Sequence, residues 1–141
     1  MNMKNVITVK SAVQLSEKQP WVDGGYKVNE SKRTITYCLR SRGKNYFGVA
    51  KCMESDEFDV NYGLQIAKMR ALIQARAVTR LDWMRIYSST AIAYMSNGRL
   101  KPAKKILDDI RVKTVNADKL YRNAVNKLKN FIYHIEPEIV L

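Results

Sequence analysis

The sequence predicts an α+β fold: a small N-terminal antiparallel sheet, with a hairpin over 33–53, packed on three or four C-terminal helices. Two observations carry this expectation. Apolar residues recur every second position within Lys32 to Arg40, then at helical spacing from Val60 onward. A glycine-bearing turn, Ser41-Arg42-Gly43-Lys44-Asn45, divides the first region, and an acidic run from Glu54 to Asp59 separates it from the second. At 141 residues the chain is expected to form a single domain, 1–141, mainly β over 1–56 and mainly α over 57–141.

In chain order, Val6-Ile7-Thr8-Val9 reads as a short strand. A loop carrying Trp21 follows, punctuated by Pro20, Gly24 and Gly25, with a second strand or turn near Tyr26 to Val28. Trp21 is expected to cover the core, the alternative being an aromatic that stacks on a base. In the hairpin, Ile35, Tyr37 and Leu39 alternate with Thr34, Thr36, Cys38 and Arg40, and Tyr46 to Met53 is the return arm. Gly43 supplies the positive φ that the turn needs. Cys38 and Cys52 fall out of register on the two arms and read as small packed residues without a disulfide.

Four carboxylates crowd into Glu54-Ser55-Asp56-Glu57-Phe58-Asp59. Metal ligation is one reading. An N-cap at Asp59, with its neighbours complementing a helix dipole, explains the run more simply. The helix after it has two apolar faces, one through Leu64, Ala67, Ala71 and Ala75, the other through Ile66, Met69, Ile73 and Leu81. Two such faces imply burial on two sides, one against the sheet and one against a further helix or a second subunit. Ser88-Ser89-Thr90 is a candidate break and Asn97-Gly98 a stop. Pro102 opens another helix through about Arg111, and a cap at Thr114 or Asn116 precedes a final helix ending near His134. Its apolar stripe is Leu120, Ala124, Val125, Leu128, Phe131 and Ile132.

The net charge is +12, and residues 60–134 hold 15 Lys and Arg against four Asp, a balance of +11. That surplus favours anionic partners: a nucleotide, a nucleic acid or an acidic protein surface. Arg76 and Arg80 share a helix face, and Trp83 and Tyr94 lie near Arg85 and Arg99 in sequence. Arginines beside aromatic rings can pair with phosphates while a base stacks. With Arg40 and Lys44 at the hairpin tip, these residues are the candidate ligand-binding set. Solvated charges and core aromatics are the competing explanation for each of them.

Catalytic and metal-binding motifs are missing: there is no GxxxxGK loop, HExxH, GxSxG or zinc spacing, and the lone His134 supports no dyad. The chain is therefore expected to be non-catalytic, with no catalytic residue, no metal and no cofactor. No apolar run of membrane-spanning length or signal-peptide pattern occurs, which predicts a cytoplasmic protein without membrane partners.

The hairpin strand Gly48-Val49-Ala50-Lys51-Cys52, the run Asp56-Glu57-Phe58-Asp59, then Gly63, Ile66-Ala67 and Arg70-Ala71 resemble a segment of small proteins from phages of Firmicutes. Among these, the segment is similar to the phage anti-Thoeris nucleotide-sponge proteins, which capture cyclic ADP-ribose-type signals. The resemblance covers residues 34 to 76 and carries no pocket residue across. It implies a counter-defence protein of an infected bacterial host, a homo-oligomer that sequesters an anionic cyclic nucleotide without degrading it. Two other classes stay open: a basic phage protein that binds nucleic acid through phosphates, and a phage inhibitor that docks on a host defence protein of the CRISPR type.

Overall fold

The computed structural model describes residues 12–53, 57–97 and 100–135. Four strands, β1 (Val13–Gln14), β2 (Gly25–Asn29), β3 (Thr34–Ser41) and β4 (Lys44–Lys51), precede two helices, α1 (Val60–Asn97) and α2 (Leu100–Ile135). The chain divides into two compact units, one of Met1–Ala75 with Ala124–Leu141, the other of Arg76–Asn123. Both helices contribute to both units.

The first unit holds the sheet, in the order β1-β2-β3-β4. Arg42 and Gly43, at φ of 53° and 76°, form the two-residue turn that sets Ser41 opposite Lys44, so the hairpin register follows from local chemistry. β2 pairs antiparallel with β3, but β1 runs parallel to β2, so the sheet is mixed rather than antiparallel as expected. The predicted strand Val6–Val9 lies outside the described residues.

Ile35 and Tyr37 of β3 and Ala50 of β4 meet Leu64, Ile66, Ala67 and Ala71 of α1 in a buried cluster. Gly48 sits where strand and helix backbones touch. A Cβ there would run into the carbonyl of Ala67 and the amide of Ala71, so only glycine fits. Beside it the Arg70 guanidinium donates to the Val49 carbonyl at 2.7 Å, tying α1 to the edge strand. Leu128 of α2 packs against the same cluster, and Phe131 meets the Tyr62 ring at 5.5 Å.

On the other sheet face Trp21 meets Phe47 edge-on at 5.1 Å, with the Lys27 ammonium 4.4 Å from the Trp21 ring. The Trp21 loop is tied to β3, since the Gly24 amide donates to the Cys38 carbonyl and the Arg40 amide to Asp23 Oδ1. Cys38 is accordingly buried although it alternates out of phase with Ile35 and Tyr37. Burial, reinforced by the negative charge of Asp23, pushes both the Cys38 thiol and the Tyr37 hydroxyl up from their ordinary pKa values. Cys38 and Cys52 are not joined in a disulfide.

Asp59 caps α1: its carboxylate accepts from the Tyr62 amide at 3.1 Å and its carbonyl from the Gly63 amide at 3.0 Å. Glu54 to Asp56, the rest of the expected cap region, lie outside the described residues. The three or four expected helices are two. Ser88 and Ser89 do not break α1, because their exposed side chains do not divert the backbone. Pro102 is tolerated in the first turn of α2, where amides lack intrahelical acceptors. Thr114 does not cap a new helix. Its hydroxyl donates to the Ile110 carbonyl at 2.7 Å, one turn back, and α2 passes through.

In the second unit α1 and α2 run antiparallel, with Arg80 opposite Asp118 and Trp83 opposite Thr114. Apolar residues of α1 are spread around the whole cylinder, whereas those of α2 keep to one side. No helix among the described residues is long and apolar enough to cross a membrane.

If Gly48 sets the approach of sheet and helix, Gly48→Ala should destabilise the chain by about 2–3 kcal/mol in chemical denaturation. Val49→Ala at the exposed neighbour should shift stability by only about 0.5 kcal/mol. Equal effects of the two substitutions would refute the role given to Gly48.

Candidate functional site

Four of the candidate residues, Arg76, Arg80, Trp83 and Tyr94, are half-buried and fall on one side of α1, since spacings of 4, 3 and 11 residues return to the same face of a helix with about 3.6 residues per turn. That side meets α2. Arg85, five residues after Arg80, points away from it, about 140° around the helix. Arg99 lies outside the described residues. Arg40 and Lys44 are exposed at the β3–β4 turn in the first unit, where the Arg40 guanidinium donates to Asn45 at 3.3 Å.

Arg80 is the best-positioned of the set. Its guanidinium lies 4.1 Å from the centre of the Tyr121 ring and pairs with Asp118 at 3.3 Å. The second oxygen of Asp118 takes Arg122 at 2.8 Å, so one carboxylate is shared by two guanidinium groups and the cluster keeps a net positive charge. Arg80 Nε is buried with no hydrogen-bond partner among the described residues, which leaves one donor of this cluster unmatched. One turn along α1, the Lys113 ammonium sits 5.2 Å from the centre of the Trp83 ring. The Thr114 hydroxyl, whose proton goes to the Ile110 carbonyl at 2.7 Å, also lies 3.3 Å from the Trp83 carbonyl, which marks how closely the two helices approach here. The unit as a whole carries eleven Lys and Arg against four Asp, a balance of +7. Asp118, Arg122, Lys113 and Tyr121 were not among the residues singled out from the sequence. Lys113, Asp118 and Tyr121 are brought to Trp83 and Arg80 by the antiparallel pairing of helices, across 30 to 41 residues of sequence, and Arg122 joins through Asp118 one turn before it.

The hydrogen bond from Arg122 above all holds the Asp118 carboxyl below the ordinary carboxylate range, against an opposing effect of desolvation that is larger than the pull of the hydrogen bond from Arg80. The folded chain therefore keeps this carboxylate ionised more readily than the unfolded chain does. Its contribution to stability is complete above the ordinary carboxylate range and is lost as pH falls through the lowered folded value.

Two cavities lie in the first unit. One, of about 310 Å³, is lined chiefly by Ile35, Ala50, Cys52, Phe58, Tyr62 and Ile66, with Lys51, Glu57 and Asp59 also in its lining. The Arg33 guanidinium donates to Cys52 Sγ at 3.3 Å and lies 5.6 Å from the Phe58 ring. The other, of about 140 Å³, has Tyr37, Leu39, Met69 and Leu72 on its floor, with Lys68 and Lys127. Among the described residues no group of three or more His, Cys, Asp or Glu could hold a metal ion. The fold and these features define an α+β chain of one mixed sheet and two long helices with a basic, aromatic helix pair. Comparison with protein-family models, curated proteins and solved structures finds no match.

Asp118→Asn should lower the thermal midpoint relative to the native sequence at neutral pH, and the two midpoints should converge in acid as Asp118 protonates. A difference that stays constant down to strongly acidic pH would show that the ion pairs with Arg80 and Arg122 contribute nothing specific.

Proposed function

We propose that the chain is a non-catalytic, phage-encoded counter-defence protein that sequesters an anionic nucleotide signal of the cyclic ADP-ribose type in the cytoplasm of an infected bacterial host. The observation that supports this reading is the juxtaposition of Arg80 on Tyr121 with Lys113 on Trp83, one turn apart on the same helix pair. A nucleotide offers flat rings and phosphates together. Here rings and cations alternate along the helix pair. The resemblance over residues 34 to 76 supplies the ligand class and the homo-oligomeric form. Arg85 faces away from this surface and Arg40 and Lys44 belong to the other unit, so the proposed site centres on Arg76, Arg80, Trp83 and Tyr94 with their α2 neighbours.

A second reading is favoured by a different observation. Lys104, Arg111, Lys119 and Arg122 are all exposed and lie along one side of α2, a row suited to successive phosphates of a nucleic acid. Four such contacts give a slope of log affinity against log salt of about −3 to −4.

The purified protein is incubated with cyclic ADP-ribose-type compounds and cyclic dinucleotides, then heat-denatured, and the released ligand is identified. Intact nucleotide is expected, with affinity reduced at least about tenfold by Arg80→Ala or Trp83→Ala, a loss of about 1.4 kcal/mol each. A degraded product would make the protein an enzyme. Failure to hold any small nucleotide, together with salt-dependent retention of oligonucleotides, would replace the first reading by the second.

A further inference from the structure

We propose that residues 81–95 of α1 form a seam through which two copies of this chain pair, with these helix segments antiparallel about a two-fold axis at Ser88. The side of α1 turned away from α2 carries Leu81, Met84, Ile92 and Met95, which are 40, 49, 66 and 81% exposed, with exposed Ser88 at their centre. Spacings of 3, 4, 4 and 3 residues keep these five positions within about 80° of one another on the cylinder. Arg80 and Trp83, which reach α2, are turned about 80° and 140° from the centre of this stripe. The row Met84-Ser88-Ile92 is an i, i+4 ridge, the kind that interdigitates with another helix, and its small central residue lets two backbones approach.

Area argues for a partner. The four apolar side chains present on the order of 500 Å² in one stripe, the size of the largest apolar patch of a monomer, which is often functional. Two copies facing each other would bury roughly 1,000 Å², the lower bound for a specific interface.

The order of residues argues that the partner is a second copy. Met84 and Ile92 stand four positions either side of Ser88, and Leu81 and Met95 seven. An isologous pair about Ser88 therefore sets Met84 against the partner's Ile92 and Leu81 against the partner's Met95, apolar against apolar throughout. Arg85 is the charged residue that flanks the stripe. Parallel pairing would bring the two Arg85 side chains together, whereas antiparallel pairing sets each beside the partner's Ala91. A nucleic acid has nothing to bind along four apolar side chains. The seam stands on this face alone and does not depend on which ligand the chain holds.

Sedimentation of the full chain at about 100 μM should give a dimer or a multiple of it, the concentration being chosen for an interface of this modest size. Ile92→Glu should weaken association at least tenfold with an unchanged circular dichroism spectrum. In a Cys52→Ser background, Ser88→Cys should cross-link to a dimer on mild oxidation. Leu81→Cys should not cross-link alone but should do so when mixed with Met95→Cys. A monomer at that concentration, a dimer that Ile92→Glu leaves intact, or Leu81→Cys cross-linking to itself would each overturn the proposal.

Discussion

Everything in the first unit follows from how closely α1 approaches β4 at Gly48. Helix and strand touch backbone to backbone there, with Ala67 and Ala71 on one side and a residue without a Cβ on the other. Such contact excludes water from a strip where a larger side chain would hold the layers apart, and it lets short residues such as Ala50, Ala67 and Ala71 close the core. It also fixes the rotation of α1, because Ala67 and Ala71 must face the sheet. Leu64 is then carried to the same side one turn earlier, and Arg70 is carried to the open edge of β4, where it takes up the Val49 carbonyl. A free strand edge is thereby partly covered by a charged side chain from the helix.

The sequence made the parts of this arrangement legible where one short stretch decides the outcome. The hairpin is written in Arg42-Gly43, whose positive φ values fix the register, and the start of α1 is written in Asp59. What stayed hidden depends on distant partners. β1 pairs through two residues with β2 across a ten-residue connection, too little pattern to read from alternation. The helices looked divided because Ser88-Ser89-Thr90 and Thr114 carry residues that favour caps when considered alone. In the folded chain Thr114 spends its hydroxyl on a carbonyl one turn back, so the expected boundary vanished.

The same distinction governs the candidate site. That Arg76, Arg80 and Trp83 share a side of α1 follows from spacing alone. Their chemistry does not, because it is set by what stands opposite. Asp118 turns Arg80 and Arg122 into one buttressed group and Tyr121 gives Arg80 a surface to rest on, and both come from a helix that had been expected to begin near this point. Had α2 been read as continuous from Leu100, the i, i+4 pair Asp118 and Arg122 and the ring at Tyr121 would have fallen on faces that could be aligned against α1.

α1 is apolar around its whole circumference, and that single property is used in two different ways along its length. Up to Ala75 the composition is satisfied from both sides: Ala67 and Ala71 face the sheet, while Tyr62 meets Phe131 of α2. Beyond Ala75 one side still meets α2, through Arg80 and Trp83, but a different side keeps Leu81, Met84, Ile92 and Met95 in water. Solubility alone would have been served by Lys, Glu or Gln at those four positions, all of them good helix formers, at no loss to the helix. The retained residues are large, exposed and spaced to a symmetric pattern, while most charges of the unit are placed on α2, with Asp82 and Arg85 exposed on the part of α1 that does not reach it. The apolar stripe and the side bearing Arg80 and Trp83 thus occupy different faces of one helix, about 115° apart at their centres, so a single element carries an association face beside a ligand face.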